Sequence, residues 1–144
     1  AQAALEVLTT EPERVSQLQY NARYFLEGAR RRRLRTGLAG GFAIIPLHFS
    51  NRENALDAYR LLLANGIYAP PIVQLAVPKD LPRLRMFISA AHTEKQIDRT
   101  LDLLGAFAQE RGDLAEVSSA EDTSKPSSQV IVPIKPQAPR ATRR

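Results

Sequence analysis

Apolar positions recur along the chain in two rhythms, and the changes between them mark out its elements. Residues 1–8 read as the last turns of a helix, and Thr9-Thr10-Glu11-Pro12 as a break and restart. There Thr10 can cap, Glu11 suits the positive helix pole, and Pro12 is tolerated in a first turn. Val15, Leu18, Ala22, Phe25 and Ala29 follow at alternating steps of three and four, which is one apolar helical stripe. That helix should end near Arg35, before Gly37 and the Gly40-Gly41 pair. Residues 42–49 are rich in β-compatible residues and predict a strand. Pro46 inside it demands an edge position or a locally unpaired one. Ser50 with Glu53 predicts a capping box, followed by a helix that shows Leu56, Tyr59 and Leu63 on one face, flanked by Ala55 and Leu62. Asn65-Gly66 stops it.

Residues 67–69 leave room for only a short strand before Pro70-Pro71. Residues 72–78 are extended and 79–82 form a turn. The clearest alternation is at 83–89, where Leu84, Met86 and Ile88 point one way and Arg83, Arg85, Phe87 and Ser89 the other. Thr93 with Gln96 forms a second capping box. The helix after it carries Ile97, Leu101, Leu104 and Phe107 and stops near Arg111-Gly112. Beyond Gly112, serines crowd residues 118–128, and Pro133, Pro136 and Pro139 follow. The pattern therefore predicts an α+β domain over 1–112, a small three-stranded sheet with helices on one face, and a disordered Ser/Pro-rich tail over 113–144. A short apolar segment at 130–134 interrupts the tail. It could add to a partner's sheet edge, and it reads equally as a stray apolar patch.

Composition changes this picture little. There is no Cys, which removes disulfides, thiolate metal sites and cysteine nucleophiles. A reducing, cytoplasmic setting is compatible with that. No apolar run reaches the roughly 20 residues a spanning helix needs, so no membrane association is expected. The net charge of +5 comes largely from Arg30, Arg31, Arg32, Arg33 and Arg35. Such a run can dock an anionic partner. Without the aromatic or Gly pattern of an RNA-binding module it reads instead as a solvated helix end at the negative dipole pole, and nucleic acid is not expected.

Candidate chemistry is sparse. His48 and His92 are the only histidines and lie in different elements, and no metal-ligand spacing or phosphate-cradling loop is present. Arg85 stands out, mid-strand beside Phe87 and opposite the face that should pack on the helices. A planar guanidinium there can bind a carboxylate in bidentate fashion, or simply be an exposed cross-strand Arg.

The stretch Val77-Pro78, Arg83-Leu84-Arg85-Met86-Phe87-Ile88-Ser89-Ala90-Ala91-His92-Thr93 and Gln96-Ile97-Asp98 resembles the C-terminal signature of the α-oxoamine synthases. Earlier pieces fall in that family's order: Glu11-Pro12-Glu13-Arg14, Asn21-Ala22-Arg23-Tyr24-Phe25, Ile44-Ile45-Pro46-Leu47 and Leu62-Leu63-Ala64-Asn65-Gly66-Ile67-Tyr68. The resemblance runs from residue 1 to about residue 111. Leu75 departs from it, standing where the family usually has a Pro in a P-x-V-P run.

The resemblance implies the C-terminal small domain of a fold-type-I pyridoxal-phosphate (PLP) enzyme. Such enzymes condense an amino acid with an acyl-CoA or acyl carrier thioester, usually as homodimers. It implies that Arg85 binds the substrate carboxylate, with His92, Thr93 and Arg83 as supporting residues. It also implies PLP in the complete enzyme, held by a large domain in the same polypeptide or a partner chain. The family's Schiff-base lysine has no counterpart among Lys79, Lys95, Lys125 and Lys135. This chain alone is therefore expected to bind no cofactor and to hold no catalytic residue. The alternative reading is a stand-alone α+β module that binds an anionic partner through its Arg-rich helix end.

Overall fold

A computed structural model describes residues 2–72 and 82–113. The element order is α1 (Gln2–Thr10), α2 (Pro12–Arg31), β1 (Ile44–His48), α3 (Arg52–Ala64), β2 (Pro71–Ile72), β3 (Arg83–Phe87) and α4 (Glu94–Glu110). The three strands form one antiparallel sheet in the order β1-β3-β2. The α+β reading with helices on one face holds. The tail expected over 113–144, apart from Asp113, lies outside the described residues, as does most of the extended stretch and turn expected over 72–82.

β1 is an edge strand, and Pro46 shows why that suits it. His48, two residues later, sends its N–H out of the sheet to the Arg35 carbonyl at 2.8 Å. Backbone groups two apart along a strand point the same way, so the Pro46 nitrogen also faces outward, where no ladder bond is needed. The register pairs Ile45 with Met86 and Leu47 with Leu84, and those four side chains are buried. Against them pack Ala22, Phe25 and Ala29 of α2, Leu62 of α3 and Leu101 and Leu104 of α4. Each fully buried Leu, Ile or Phe contributes about 1.5–3 kcal/mol. Helices α2 and α4 cross closely because Gly28 and Gly105 lie at the seam. A Cβ on Gly28 would stand 2.5 Å from Leu101 Cδ1.

Several local expectations are corrected. Thr10 does not cap α2, because it still belongs to α1 and its hydroxyl donates to the Glu6 carbonyl; Glu11 takes the N-cap place. Helix α2 ends at Arg31, not near Arg35. The stop is a Schellman closure on a non-Gly residue: Arg33 has φ 57°, its N–H donates to the Arg30 carbonyl, and Leu34 N–H donates to Ala29. Leu34 is buried, which compensates the left-handed arginine. The N-cap of α3 is Asn51, accepting from Asn54 N–H, not Ser50 with Glu53. Its buried face is Ala55, Ala58 and Leu62, with Leu63 49% exposed. Residues 67–69 are not a strand; β2 begins only at Pro71. The Thr93–Gln96 capping box stands as read.

Candidate functional site

The side of the sheet away from the helices is open at Ile44, Arg85 and Phe87 among the described residues and half-buried at Pro46, His48 and Arg83. Along β1 it carries Ile44, Pro46 and His48; along β3 it carries Phe87, Arg85 and Arg83, as cross-strand partners in that order. The alternation of Leu84, Met86 and Ile88 into the core dictates this, since every second residue must face the other way. Ile44 is 52% and Phe87 49% exposed, and Phe42, just before β1, is 72% exposed. Large apolar side chains left open on one face, together with cations, are the mark of an interaction surface.

Arg85 sits mid-strand opposite Pro46, and its N–H donates to the Pro70 carbonyl at 3.1 Å. The backbone is thus fixed from both sides while the side chain is exposed. Its guanidinium has no hydrogen-bond or ion-pair partner among the described residues. Arg83 shares the face and is half-buried. The two arginines predicted from the sequence are therefore together.

His92 and Thr93 are elsewhere, in the turn between β3 and α4, and both are occupied by local structure. The His92 Nδ1 accepts the Ser89 N–H at 3.0 Å. The Thr93 hydroxyl accepts the Gln96 N–H at 3.3 Å, and Gln96 Oε1 accepts the Thr93 N–H at 2.9 Å. His92 borders a cavity of about 280 Å³ with Tyr68, Phe87 and Arg99, which Arg85 does not line.

Asn21 carries a role that sequence reasoning missed. It is 1% exposed, and its amide donates to the Ser89 carbonyl at 2.9 Å and the His92 carbonyl at 2.8 Å. It therefore clamps the β3–α4 turn to α2. Tyr24 donates to both Asp98 oxygens at 3.1 and 3.0 Å, and Tyr20 donates to Glu94 at 2.6 Å. These bonds hold both phenols above their ordinary pKa.

The arginine run is largely consumed internally. Arg30 donates to the Ala39 carbonyl, and Arg32 donates to Asp102 and the Gly28 carbonyl. Arg35 lies 3.6 Å from Asp113. This weighs against a free basic patch. Lys95, the sole lysine among the described residues, is exposed in the first turn of α4. It lines a shallow surface hollow with the carboxylates of Glu94, Asp98 and Asp102, an acidic, open setting that does not fit the PLP phosphate and aldehyde. No helix among the described residues is long and apolar enough to cross a membrane.

No protein-family model matches the chain. Individual proteins do. A Desulforudis audaxviator protein described as an 8-amino-7-oxononanoate synthase is 43% identical over 110 residues, which is 76% of this chain and 28% of that protein. An 8-amino-7-oxononanoate synthase/2-amino-3-ketobutyrate coenzyme A ligase of Thermus thermophilus is 38% identical over 99 residues, 69% of this chain and 25% of its own length. Among solved structures, a serine palmitoyltransferase of S. paucimobilis with a bound PLP-myriocin aldimine superposes with a TM-score of 0.69 at 28% identity. That match covers 76% of this chain and 28% of that one. The chain spans about a quarter of the length of the relatives it matches.

Proposed function

The chain belongs to the α-oxoamine synthase family, and from that premise we propose that it is the substrate-gripping small domain of a PLP-dependent acyltransferase. The complete enzyme would condense an amino acid with an acyl-CoA or acyl carrier thioester. The cofactor would be held by a large domain outside this chain, and the whole would work as a homodimer in the cytoplasm. Arg85 would bind the amino-acid carboxylate, and the open sheet face would close over the active site.

The observation that carries this reading is the Arg85 guanidinium, unpartnered among the described residues, on a strand paired on both sides and next to the exposed Ile44 and Phe87. A guanidinium held this way is preorganised for two parallel bonds to a carboxylate. Ile44 and Phe87, the next cross-strand pair on the same face, supply apolar area for docking against a second surface and for excluding water from the bound carboxylate. His92 and Thr93 support the site at one remove, by fixing the turn that ends β3.

The test is an exchange. Residues 2–113 replace the matching quarter of the Thermus thermophilus relative, and acyl transfer from a thioester to an amino acid is assayed. Retained activity supports the reading. A folded, PLP-loaded chimaera with no activity contradicts it.

A further inference from the structure

His48 and Arg83 are cross-strand partners at the β2 end of the open face. The His48 Nδ1 and the Arg83 Nε are both shielded from solvent, and neither has a hydrogen-bond partner among the described residues. A buried polar atom without a partner costs about 1–3 kcal/mol. Two on adjacent side chains call for a partner that the described residues do not supply.

Arg35 belongs to the same corner. Its carbonyl accepts the His48 N–H at 2.8 Å, which ties the loop after α2 to the edge of β1. The Gly37 backbone in that loop packs against the imidazole, since a Cβ there would stand 3.1 Å from Nε2. The carboxylate paired with Arg35 is Asp113, at the long distance of 3.6 Å. Its oxygens are already engaged by the Ser50 N–H and the Asn54 amide. Burial, and after it the positive charges of Arg83 and Arg35, hold the His48 pKa below the ordinary value. Two cations and an imidazole thus share a half-buried corner, and the one acid paired with them, Asp113, reaches only Arg35, at 3.6 Å, while bonded to Ser50 and Asn54.

We propose that Arg83, Arg35 and His48 form a binding site for a phosphate-class oxyanion, separate from the carboxylate site at Arg85. The Arg83 Nε–H donates to one oxygen and the Arg35 guanidinium supplies the second cation. His48 Nδ1 donates to a further oxygen once the ring is protonated. A phosphate monoester presents three oxygens and close to two negative charges, matching two arginines and an imidazole. A carboxylate presents two oxygens and one charge. A bound anion offsets the positive charges of Arg83 and Arg35 beside the ring, so it favours the protonated imidazole and the anion and the proton bind together. The site stands on this chain's own residues and does not depend on the function proposed above.

The experiment uses the full chain and inorganic phosphate. The chain has two histidines, so imidazole NMR resonances of His48 can be followed with His92 as the internal reference. Phosphate should shift His48 saturably and raise its pKa, while His92 stays put and chloride at equal ionic strength does neither. Arg83→Gln and Arg35→Gln, each checked for an unchanged fold by thermal unfolding, should each weaken phosphate binding by about tenfold or more. Arg85→Gln, one pleat away, should change it by no more than about threefold. The proposal is overturned if chloride reproduces the shift, if acetate binds as tightly as phosphate, or if both Gln variants fold and bind phosphate like the parent.

Discussion

Replacing Asp113 by Ala should destabilise the domain strongly, although the residue is polar and lies past α4. Its side chain is 0% exposed and closes a loop of long sequence span. The carboxylate accepts the Ser50 N–H at 2.8 and 3.1 Å, and the Asn54 amide at 2.9 Å. It thereby fixes the entry of α3, 63 residues earlier. The Arg35 contact at 3.6 Å is long and partly exposed, so it contributes little. The Ser50 and Asn54 donors decide the magnitude. Hydrogen bonds to a charged acceptor contribute about 1.5–3 kcal/mol each, and the two share one acceptor, so their losses do not simply add. A loss of about 3 kcal/mol follows. At about 4–8 °C per kcal/mol for a domain of this size, Tm should fall by roughly 12–24 °C. Asp113→Asn keeps an acceptor and should lose about half as much. A chain ended after Ala115 should unfold within a few degrees of the parent, since it keeps Asp113. Thermal unfolding by circular dichroism reads all three. The reasoning fails if Asp113→Ala melts within about 3 °C of the parent.

Gly28→Ala should force α2 and α4 apart at Leu101 and cost about 1–3 kcal/mol in denaturant unfolding; a neutral result would mean that the seam has slack. Acidification should weaken the fold through His48, whose folded pKa lies below its ordinary 6.5. The unfolded chain then binds more protons than the folded one as pH falls through 6.5, so stability drops from there down to the folded pKa. His48→Gln should flatten that part of the stability–pH curve, and an unchanged curve would assign the acid sensitivity elsewhere.

What the sequence revealed and what it hid divide along the range of the interactions involved. The Thr93–Gln96 box and the Leu84, Met86 and Ile88 alternation are decided within a few residues, and both stand as read. The Ser50–Glu53 box looked equally good, but Asp113 takes the Ser50 N–H from far along the chain and Asn51 becomes the cap. On α3 the large residues drew attention to Leu56, Tyr59 and Leu63. The helix instead turns Ala55 and Ala58 inward, where small side chains let it approach the sheet closely. The end of α2 was hidden because Gly37 advertised a stop that Arg33 makes first, held by the burial of Leu34. At the candidate site, the alternation gave the placement of Arg83 and Arg85. The His48–Arg83 pairing could not be read, because register between strands 35 residues apart is a tertiary outcome.

The central claim, that Arg85 receives the amino-acid carboxylate, is tested most directly by amino-acid binding to the chimaera of residues 2–113 with the Thermus thermophilus large domain. Dissociation constants should be measured for the parent, Arg85→Ala, Arg85→Lys and Arg83→Ala. Loss of the bidentate contact should cost about 1.5–3 kcal/mol, or roughly 10- to 100-fold in affinity. Lys at position 85 should recover only part, because it keeps the charge and loses the two-pronged geometry. Arg83→Ala should stay within about threefold of the parent. Amino-acid binding that survives Arg85→Ala and is lost in Arg83→Ala would contradict the account.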